Sequence, residues 1–409
     1  MNRTRRFPSL FSRIDIAALA RPGGAAFVAI LALDSLARAT VSAIVPLQAY
    51  DLLGSAQQVS VLYFLTAVTG LLASLAVPWL VIRLRRRWML RLGAACLIVS
   101  ATLFSLYDLM AFVPAMVLQM FGASSVMICT NLYIMEHIPR RELGRFEPKR
   151  TLFMGVGWMT GPALGVYLGS KGPDWLPYAV SGGIALIVIA YFTWLRLPHA
   201  AGSLANAVPQ TNPINFVRRY FAQPRLVLAW VLSVGRAGWW GMFYVYGPIY
   251  AVASGLGAEV GGYIVSAGAS ALYTVMLWGW LGRKIGLRYL LIGGYGLAGI
   301  LTLGIGMAAG QPWIAAGLIV AAALGISITD GAGNMPFLRA VHPHERAEMT
   351  AVYTTYRDSA RATMPALYAI LLLVFPLSAV FYASGTIMLG LTLLARNIPR
   401  RLGRDRRRH

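Results

Sequence analysis

The chain reads Gly157-Trp158-Met159-Thr160-Gly161-Pro162-Ala163-Leu164-Gly165 across the middle of a long apolar segment. A later apolar segment contains an echo of this stretch, Thr363-Met364-Pro365-Ala366-Leu367. The two copies share Thr-x-Pro-Ala-Leu at a spacing of 203 residues, from Pro162 to Pro365. A Gly/Pro motif repeated in two hydrophobic helices indicates a membrane protein that is built from two related halves.

The composition supports this class. Mean hydropathy is +0.64, 58% of the residues are hydrophobic, and only 12% are charged. A soluble protein of 409 residues would need far more polar surface than this. The chain is therefore predicted to be an integral membrane protein.

Twelve apolar runs are long enough to cross a bilayer, which takes about 20 helical residues. They cover residues 26–49, 56–80, 89–107, 111–135, 151–170, 177–196, 226–252, 259–281, 289–309, 312–336, 350–374 and 377–396. We predict an all-α membrane protein of twelve transmembrane helices in two pseudo-symmetric six-helix bundles. The predicted parts are a cytoplasmic segment that includes an interfacial helix (1–25), a first bundle (26–196), a central loop (197–225), a second bundle (226–396) and a basic tail (397–409).

The net charge of +22 follows from topology. Loops on one side of the predicted bundle contain 31 of the 36 Lys and Arg residues, whereas the opposite loops contain only Lys171. The positive-inside rule then predicts that both termini are cytoplasmic, in the inner (plasma) membrane. We expect no nucleic-acid partner, because the basic residues are explained by orientation.

The two halves correspond in an ordered series of residue pairs. These are Tyr50 with Tyr250, Tyr63 with Tyr263 and Arg83 with Arg283 at a spacing of 200, then Asn131 with Asn334 at 203. Such a series indicates a duplication, and six plus six helices is the architecture of major facilitator transporters.

Along nearly its whole length the sequence resembles the major facilitator superfamily. Gly157, Gly161, Pro162 and Gly165 resemble the fifth-helix motif of its twelve-helix drug/proton antiporters, with Val166 in place of the usual last Gly. The family's loop signature between helices 2 and 3 is kept only in part. At the position where the family signature has an Arg in helix 4, this sequence has Leu118.

The resemblance implies a secondary active transporter that works by alternating access and exports small amphipathic or anionic compounds in exchange for protons. Two alternatives remain open at this point. One is a proton-coupled symporter or facilitator for an organic anion, and the other is a membrane sensor or assembly factor that does not transport.

Charged residues inside the predicted helices are the main candidates for substrate binding and coupling, since each costs at least about 2.5–3.5 kcal/mol to insert. Arg38 and Arg236 fall near the midplane, and Asp34 and Asp330 lie roughly 6–8 Å nearer the cytoplasm. The resembled fold implies that all four face one central space. They either form closed ion pairs that fix helix packing, or bind a charged substrate and carry a proton.

A second charged cluster, Arg357, Asp358 and Arg361, falls in the eleventh predicted helix. Arg357 and Arg361 are like charges one turn apart and require anionic neighbours. We interpret the cluster as an ion network at the interface between the halves, with direct substrate contact as the alternative.

Uncharged candidates complete the predicted site. Trp240 and Tyr244 share a helix face with Arg236, which offers either a stacking surface for a substrate or ordinary packing. Asn131 and Asn334 are weaker candidates for the cavity wall. In the opening motif, Gly157, Gly161, Pro162 and Gly165, together with Pro365, are interpreted as a bend at the seam between the halves.

Other chemistries find no support in the sequence. No Gly-Lys dipeptide occurs, so a P-loop for ATP is absent, and the two cysteines, Cys96 and Cys129, lie in apolar segments. His342-x-His344 is a weak metal signal. We expect a monomer that is no enzyme, has neither cofactor nor metal, and uses the proton gradient. Its predicted partners are a small-molecule substrate, protons and the lipid bilayer.

Overall fold

The computed structural model describes residues 23–84, 86–138, 140–195, 213–308, 310–342 and 345–399. These residues are almost entirely helical and contain no β-strand. The predicted interfacial helix before residue 23, most of the central loop and the basic tail after residue 399 lie outside the described ranges.

Seven helices make up the first half. They are α1 (Gly24–Ser42), α2 (Ile44–Leu53), α3 (Ala56–Leu84), α4 (Arg86–Ser105), α5 (Leu109–His137), α6 (Arg140–Lys171) and α7 (Leu176–Trp194). The first apolar run divides into α1 and α2 because Pro46 has no N–H to donate to the carbonyl of Ser42.

A short helix, α8 (Pro213–Phe221), lies in the predicted central loop. The second half then contains α9 (Pro224–Ala253), α10 (Ala258–Ser270), α11 (Val275–Ile285), α12 (Leu287–Met307), α13 (Pro312–Asp330), α14 (Met335–Ala340), α15 (Arg346–Thr354), α16 (Tyr356–Leu371) and α17 (Ser378–Ala395). A 3₁₀ turn, Ala271–Thr274, joins α10 to α11.

Within the described ranges, eleven helical segments are long and apolar enough to cross a membrane. The predicted run at 350–374 is not among them, because the chain there divides into α15 and α16. The sixteen residues of α16 include Arg357, Asp358 and Arg361. Because it is short and contains three charged residues, this helix lacks the length and the apolar composition that the other eleven segments have.

The tenth predicted run, 312–336, is also interrupted. Helix α13 ends at Asp330, and a turn with Gly333 at φ 52° leads into α14. Gly accepts this left-handed backbone without strain, and Pro336 suits the first turn of the next helix. The break places Asp330 at a helix end rather than inside a continuous helix.

The helices pack as two bundles that meet along two main seams. Helix α6 of the first half packs against α10 of the second, and α3 packs against α16. When the predicted apolar runs are numbered in chain order, run 5 packs against run 8 and run 2 packs against run 11. A two-fold operation that exchanges run n with run n + 6 converts one seam into the other, as expected for a duplicated chain.

One end of the bundle contains the exposed basic residues Arg83, Arg283 and Lys284, and we call it the basic end. Exposed tryptophans lie near both ends. Trp88, Trp194 and Trp280 are at the basic end, and Trp175 and Trp313 are at the opposite end. Tryptophan at these levels is typical of the two membrane interfaces.

The halves contact one another toward the opposite end. Ser60 Oγ of α3 and Tyr246 Oη of α9 are 2.5 Å apart, and Lys171 Nζ lies 3.6 Å from Glu259 Oε1. At the basic end, each of the two buried clusters in the described residues draws its members from a single half. The space between the halves is therefore closed at the opposite end and open toward the basic end.

Candidate functional site

The second half contains an ion pair between the buried Arg236 of α9 and the partly buried Asp330 at the end of α13. Arg236 Nε lies 3.3 Å from Asp330 Oδ1, and Trp240 Nε1 donates to Asp330 Oδ2 at 3.0 Å. Arg236 and Trp240 are one turn apart on α9, so both side chains reach the same carboxylate. Three of the predicted site residues therefore form one group.

Arg236 also completes the C-terminus of α13. Its Nη1 donates to the carbonyls of Thr329 at 3.2 Å and Gly333 at 3.3 Å. The last carbonyls of a helix have no partner within the helix, and the negative end of its dipole favours a cation. The helix break after Asp330 thus creates a site that this guanidinium fills, and only 8% of Arg236 is exposed.

The first half contains a second ion pair, formed within α1. Arg38 Nη2 and Nε donate to Asp34 Oδ2 at 2.7 and 3.0 Å. Asp34 is 1% exposed, and its other oxygen, Oδ1, has no hydrogen-bond partner among the described residues. A buried carboxylate oxygen without a donor is costly unless it binds a proton or water.

The charged cluster on α16 is more open. Arg361 Nη1 lies 3.8 Å from Asp358 Oδ1, and Arg357 Nε donates to Tyr356 Oη at 3.1 Å. The Arg361 side chain is 59% accessible, so this cluster is far more exposed than the Asp34–Arg38 pair.

Aromatic rings form one wall beside the Arg236–Asp330 pair. Trp240 stacks on Tyr244 with ring centroids 5.9 Å apart, and Tyr244 contacts Trp158 of α6 at 5.1 Å. Both Tyr244 and Trp158 keep partial exposure. The wall therefore spans both halves and presents flat apolar faces next to charge.

The two asparagines lie in different surroundings. Asn131 of α5 has a buried Oδ1 with no partner in the described part of the chain. Asn334 precedes α14, is exposed, and accepts a hydrogen bond from Tyr353 Oη at 3.2 Å. Asn334 therefore belongs to a network near the basic end rather than to the group around Asp330.

The opening Gly/Pro motif has two faces. A Cβ added at Gly157 would lie 2.9 Å from the backbone N of Leu36, and one at Gly161 would lie 2.6 Å from Ala39 Cβ. The glycines thus allow α6 to approach α1 of its own half. On the other face, Ala163 N donates to Ser266 Oγ of α10 at 2.8 Å, so only this Pro162 side of the motif lies at the seam between halves.

Two aromatic residues inside the bundle are not identified as site candidates by the sequence. Trp158 appears there only within the Gly/Pro motif, and Tyr63 of α3 only as a mark of the duplication. Tyr63 lies deep in the bundle with a partly accessible ring. The only signal in the sequence is that both are aromatic residues within apolar runs, the second and the fifth. No spacing rule shows which way an aromatic ring points.

A bundle of long apolar helices, divided in two around a space lined with charge, is the form of a membrane transporter. The family profile of the Major Facilitator Superfamily matches residues 27–365. The chain belongs to the Major Facilitator Superfamily.

Solved structures of similar fold include several transporters. A D-xylose–proton symporter has a TM-score of 0.73 at 13% identity, covering 90% of this chain and 96% of its own. A peptide transporter POT in complex with sulfate gives 0.72 at 13% identity, with coverages of 94% and 97%. The nucleoside transporter NupG gives 0.69 at 12% identity, with coverages of 90% and 98%. Identities this low show the fold alone. Among curated proteins, no sequence relative matches the chain.

Proposed function

We propose that the protein is a secondary active transporter that exports small amphipathic or anionic compounds in exchange for protons. It would do so by alternating access, in the inner (plasma) membrane, with α15 and α16 completing twelve crossing segments and both termini in the cytoplasm. The basic end would then face the cytoplasm, so the space between the halves is open to the side from which an exporter loads.

One observation carries this proposal. Each half contains a carboxylate that is held by a guanidinium, the buried Asp34 with Arg38 and the partly buried Asp330 with Arg236. Protonating such a carboxylate removes the charge that holds its arginine, so proton binding would change the forces on the helices around the central space. Asp34 is the preferred coupling residue because its Oδ1 has no described partner and can accept a proton.

A second candidate is proton-coupled uptake or facilitated diffusion of an organic anion. Arg361 favours it, because this guanidinium on α16 is 59% accessible and its nearest described carboxylate oxygen is 3.8 Å away. The D-xylose–proton symporter of similar fold shows that the fold also serves symport in that protein. The direction of proton movement relative to substrate separates the two candidates.

The Asp34→Asn variant tests the coupling role. Reconstituted in proteoliposomes, it should lose transport driven by a pH gradient, because the amide cannot take up the proton. Substrate counterflow at equal pH should persist, since counterflow needs no net proton transfer. Asp174→Asn, an exposed carboxylate in the turn after α6, is the control and should retain both activities. Gradient-driven transport that survives in Asp34→Asn shows that Asp34 is not the coupling carboxylate.

A further inference from the structure

The eighth apolar run crosses the bundle as two helices, α10 and α11, which the 3₁₀ turn Ala271–Thr274 joins. A 3₁₀ turn is wound more tightly than an α-helix and has poorer hydrogen-bond geometry, so within a long helix it often marks a hinge. Ser270 Oγ donates to the carbonyl of Ala267 at 2.6 Å, just before the turn. Thr274 Oγ1 donates to the carbonyl of Ala271 at 2.6 Å, within the turn. Local bonds of this kind compete with helical hydrogen bonds and often bend a helix.

The two pieces of this run have different neighbours. Helix α10 packs against α6 of the first half as well as on α9 and α13 of its own, whereas α11 packs mainly on α12 and α13. Ser266 Oγ of α10 accepts from Ala163 N across the seam at 2.8 Å. The turn itself still contacts α6, because a Cβ added at Gly155 would lie 3.5 Å from Tyr273 Cζ. The turn therefore separates a piece that is held at the seam from a piece that is held mainly by its own half.

The duplicated run of the first half is built differently. Run 2 forms one continuous helix, α3, over Ala56–Leu84. It packs against α16 across the second seam, as α10 packs against α6 across the first. Of these two duplicated runs, only the one in the second half contains a turn at which its basic end could bend.

Helix α11 is joined to the helix end that carries Asp330. Trp278 Nε1 of α11 donates to Thr274 Oγ1 at 2.7 Å and to Ser327 Oγ of α13 at 3.0 Å. Gly331 follows Asp330 and lies against the same tryptophan, since an added Cβ would be 2.4 Å from Trp278 Cβ and 2.8 Å from its carbonyl carbon. A shift of the α13 end must therefore displace α11 as well.

We propose that the turn Ala271–Thr274 is a hinge, about which α11 swings toward α6 to close the basic end. Trp278 is the positioning residue that links this swing to the charge on Asp330. The inference rests on the proposed function, in which that charge changes during transport. Arg236 holds the charged carboxylate at 3.3 Å, and an uncharged Asp330 loses this attraction, which allows the α13 end and α11 to move together.

The hinge gives the transporter a state that is closed at both ends. Because α10 stays at the seam with α6, the swing of α11 requires no separation of the halves at the opposite end. Helix α11 has 11 residues and is therefore about 16 Å long. A bend of about 20° at the turn moves its far end by about 6 Å.

Distances between two spin labels on the full-length protein in nanodiscs test the hinge. The labels are attached to Lys149→Cys and Ile285→Cys, the basic ends of run 5 and run 8, in a Cys96→Ser/Cys129→Ser background. Asp330→Asn supplies the uncharged side chain without any change of pH. We expect it to shorten the distance between the two labels by about 4–6 Å, as the length of α11 and a bend of this size require.

A second pair of labels distinguishes the hinge from rocking of the whole half. Lys149→Cys is paired with Leu394→Cys, an exposed position at the basic end of α17. Rigid rocking of the second half moves this label as well, whereas a swing of α11 alone does not. In Asp330→Asn, the distance of this pair should stay within the width of its wild-type distribution.

Two variants test the positioning role of Trp278. Trp278→Phe keeps a ring but removes the N–H group, and Ser327→Ala removes the acceptor on α13. Each should reduce the shift that Asp330→Asn causes to about half or less, because α11 is then held less firmly to the α13 end. Trp313→Phe, which changes an exposed ring at the opposite end, is the control and should leave the full shift.

The hinge is overturned if Asp330→Asn does not shorten the distance from Lys149 to Ile285, or if the distance to Leu394 shortens equally. A full shift in both Trp278→Phe and Ser327→Ala overturns the positioning role. The measurement uses neither a proton gradient nor a substrate, so its outcome is separate from that of the Asp34→Asn transport assay. The hinge can fail in a proton-coupled exporter and can hold in a transporter that is not coupled to protons.

Discussion

Two arginines near the central space differ in how their donors are used. Arg236 forms an ion pair with Asp330 at 3.3 Å and donates hydrogen bonds to the carbonyls of Thr329 and Gly333. Arg361 has an ion-pair partner only at 3.8 Å, and its side chain is 59% accessible. The first arginine is therefore held by several protein groups, whereas the second is held by few.

The Arg236–Asp330 pair gives a stability prediction. Arg236→Gln should destabilise the protein by about 1.5–3 kcal/mol, because Asp330, whose side chain is 20% exposed, would remain as a partly buried charge without its cation. The double variant Arg236→Gln/Asp330→Asn removes both charges and should recover much of the loss. Thermal unfolding in detergent, followed for both single variants and the double variant, measures this coupling. A double variant as unstable as the sum of the two single variants would contradict the ion-pair account.

The charged candidates could be found from sequence, and so could the i,i+4 pairing of Asp34 with Arg38, but the contacts between different helices could not. The cost of inserting a charge into a membrane marks Asp34, Arg38, Arg236 and Asp330 directly. Arg236 reaches the carbonyls of Thr329 and Gly333 because α13 ends at Asp330. A hydrophobic run in the sequence does not show at which residue its helix ends. The same limit applies to Trp158, whose ring contacts Tyr244 of α9.

At the level of helices, the two halves achieve close packing in different ways. In the first half, Gly161 of α6 meets the backbone of α1, with its added Cβ 2.8 Å from Thr40 N. At the echo of this position in α16 the residue is Met364, and the glycine lies on the partner helix α9. A Cβ at Gly238 would be 2.6 Å from Met364 Cγ. The duplication thus kept the contact and exchanged which helix carries the small residue.

This exchange predicts an asymmetry between two substitutions. Gly238→Ala should destabilise by about 1–3 kcal/mol through overpacking against a side chain, and adding Met364→Ala should relieve it. Gly161→Ala should destabilise by a similar amount, with no such rescue, because the atoms it meets include the α1 backbone. Gly183→Ala in α7, where nothing lies within 4 Å, is the control and should be neutral or slightly stabilising. Thermal unfolding of the four variants decides the matter, and rescue that fails at Gly238 would contradict the packing described.

Helix breaks were less predictable than helices. Runs of apolar residues located all eleven segments that are long and apolar enough to cross a membrane in the described ranges, and Pro46 explains the break in the first. The chain turns after Asp330 and breaks at Thr355, and both positions lie inside long predicted runs. Hydropathy averaged over such a run does not show the effect of a single Gly or of one charged turn. Local backbone conformation, rather than hydropathy, decides those positions.

For the whole molecule, the two seams related by the pseudo-two-fold are the main evidence that the chain can alternate. Helices α6 with α10 and α3 with α16 contact one another across the halves, whereas the two buried clusters at the basic end of the described chain stay within one half each. Rocking of one half against the other about these seams would close the basic end and open the opposite one. The number of apolar helices and the duplication indicated this arrangement from sequence, but not which end is closed.

Export in exchange for protons is the central claim, and substrate-evoked proton flux tests it most directly. Full-length protein would be reconstituted in proteoliposomes with an imposed pH gradient and an internal pH dye, then given naphthalenesulfonate and a panel of amphipathic cations. The account predicts proton movement opposite in direction to substrate flux, abolished in Asp34→Asn. Protons and substrate moving in the same direction, or no flux of any compound, would contradict it.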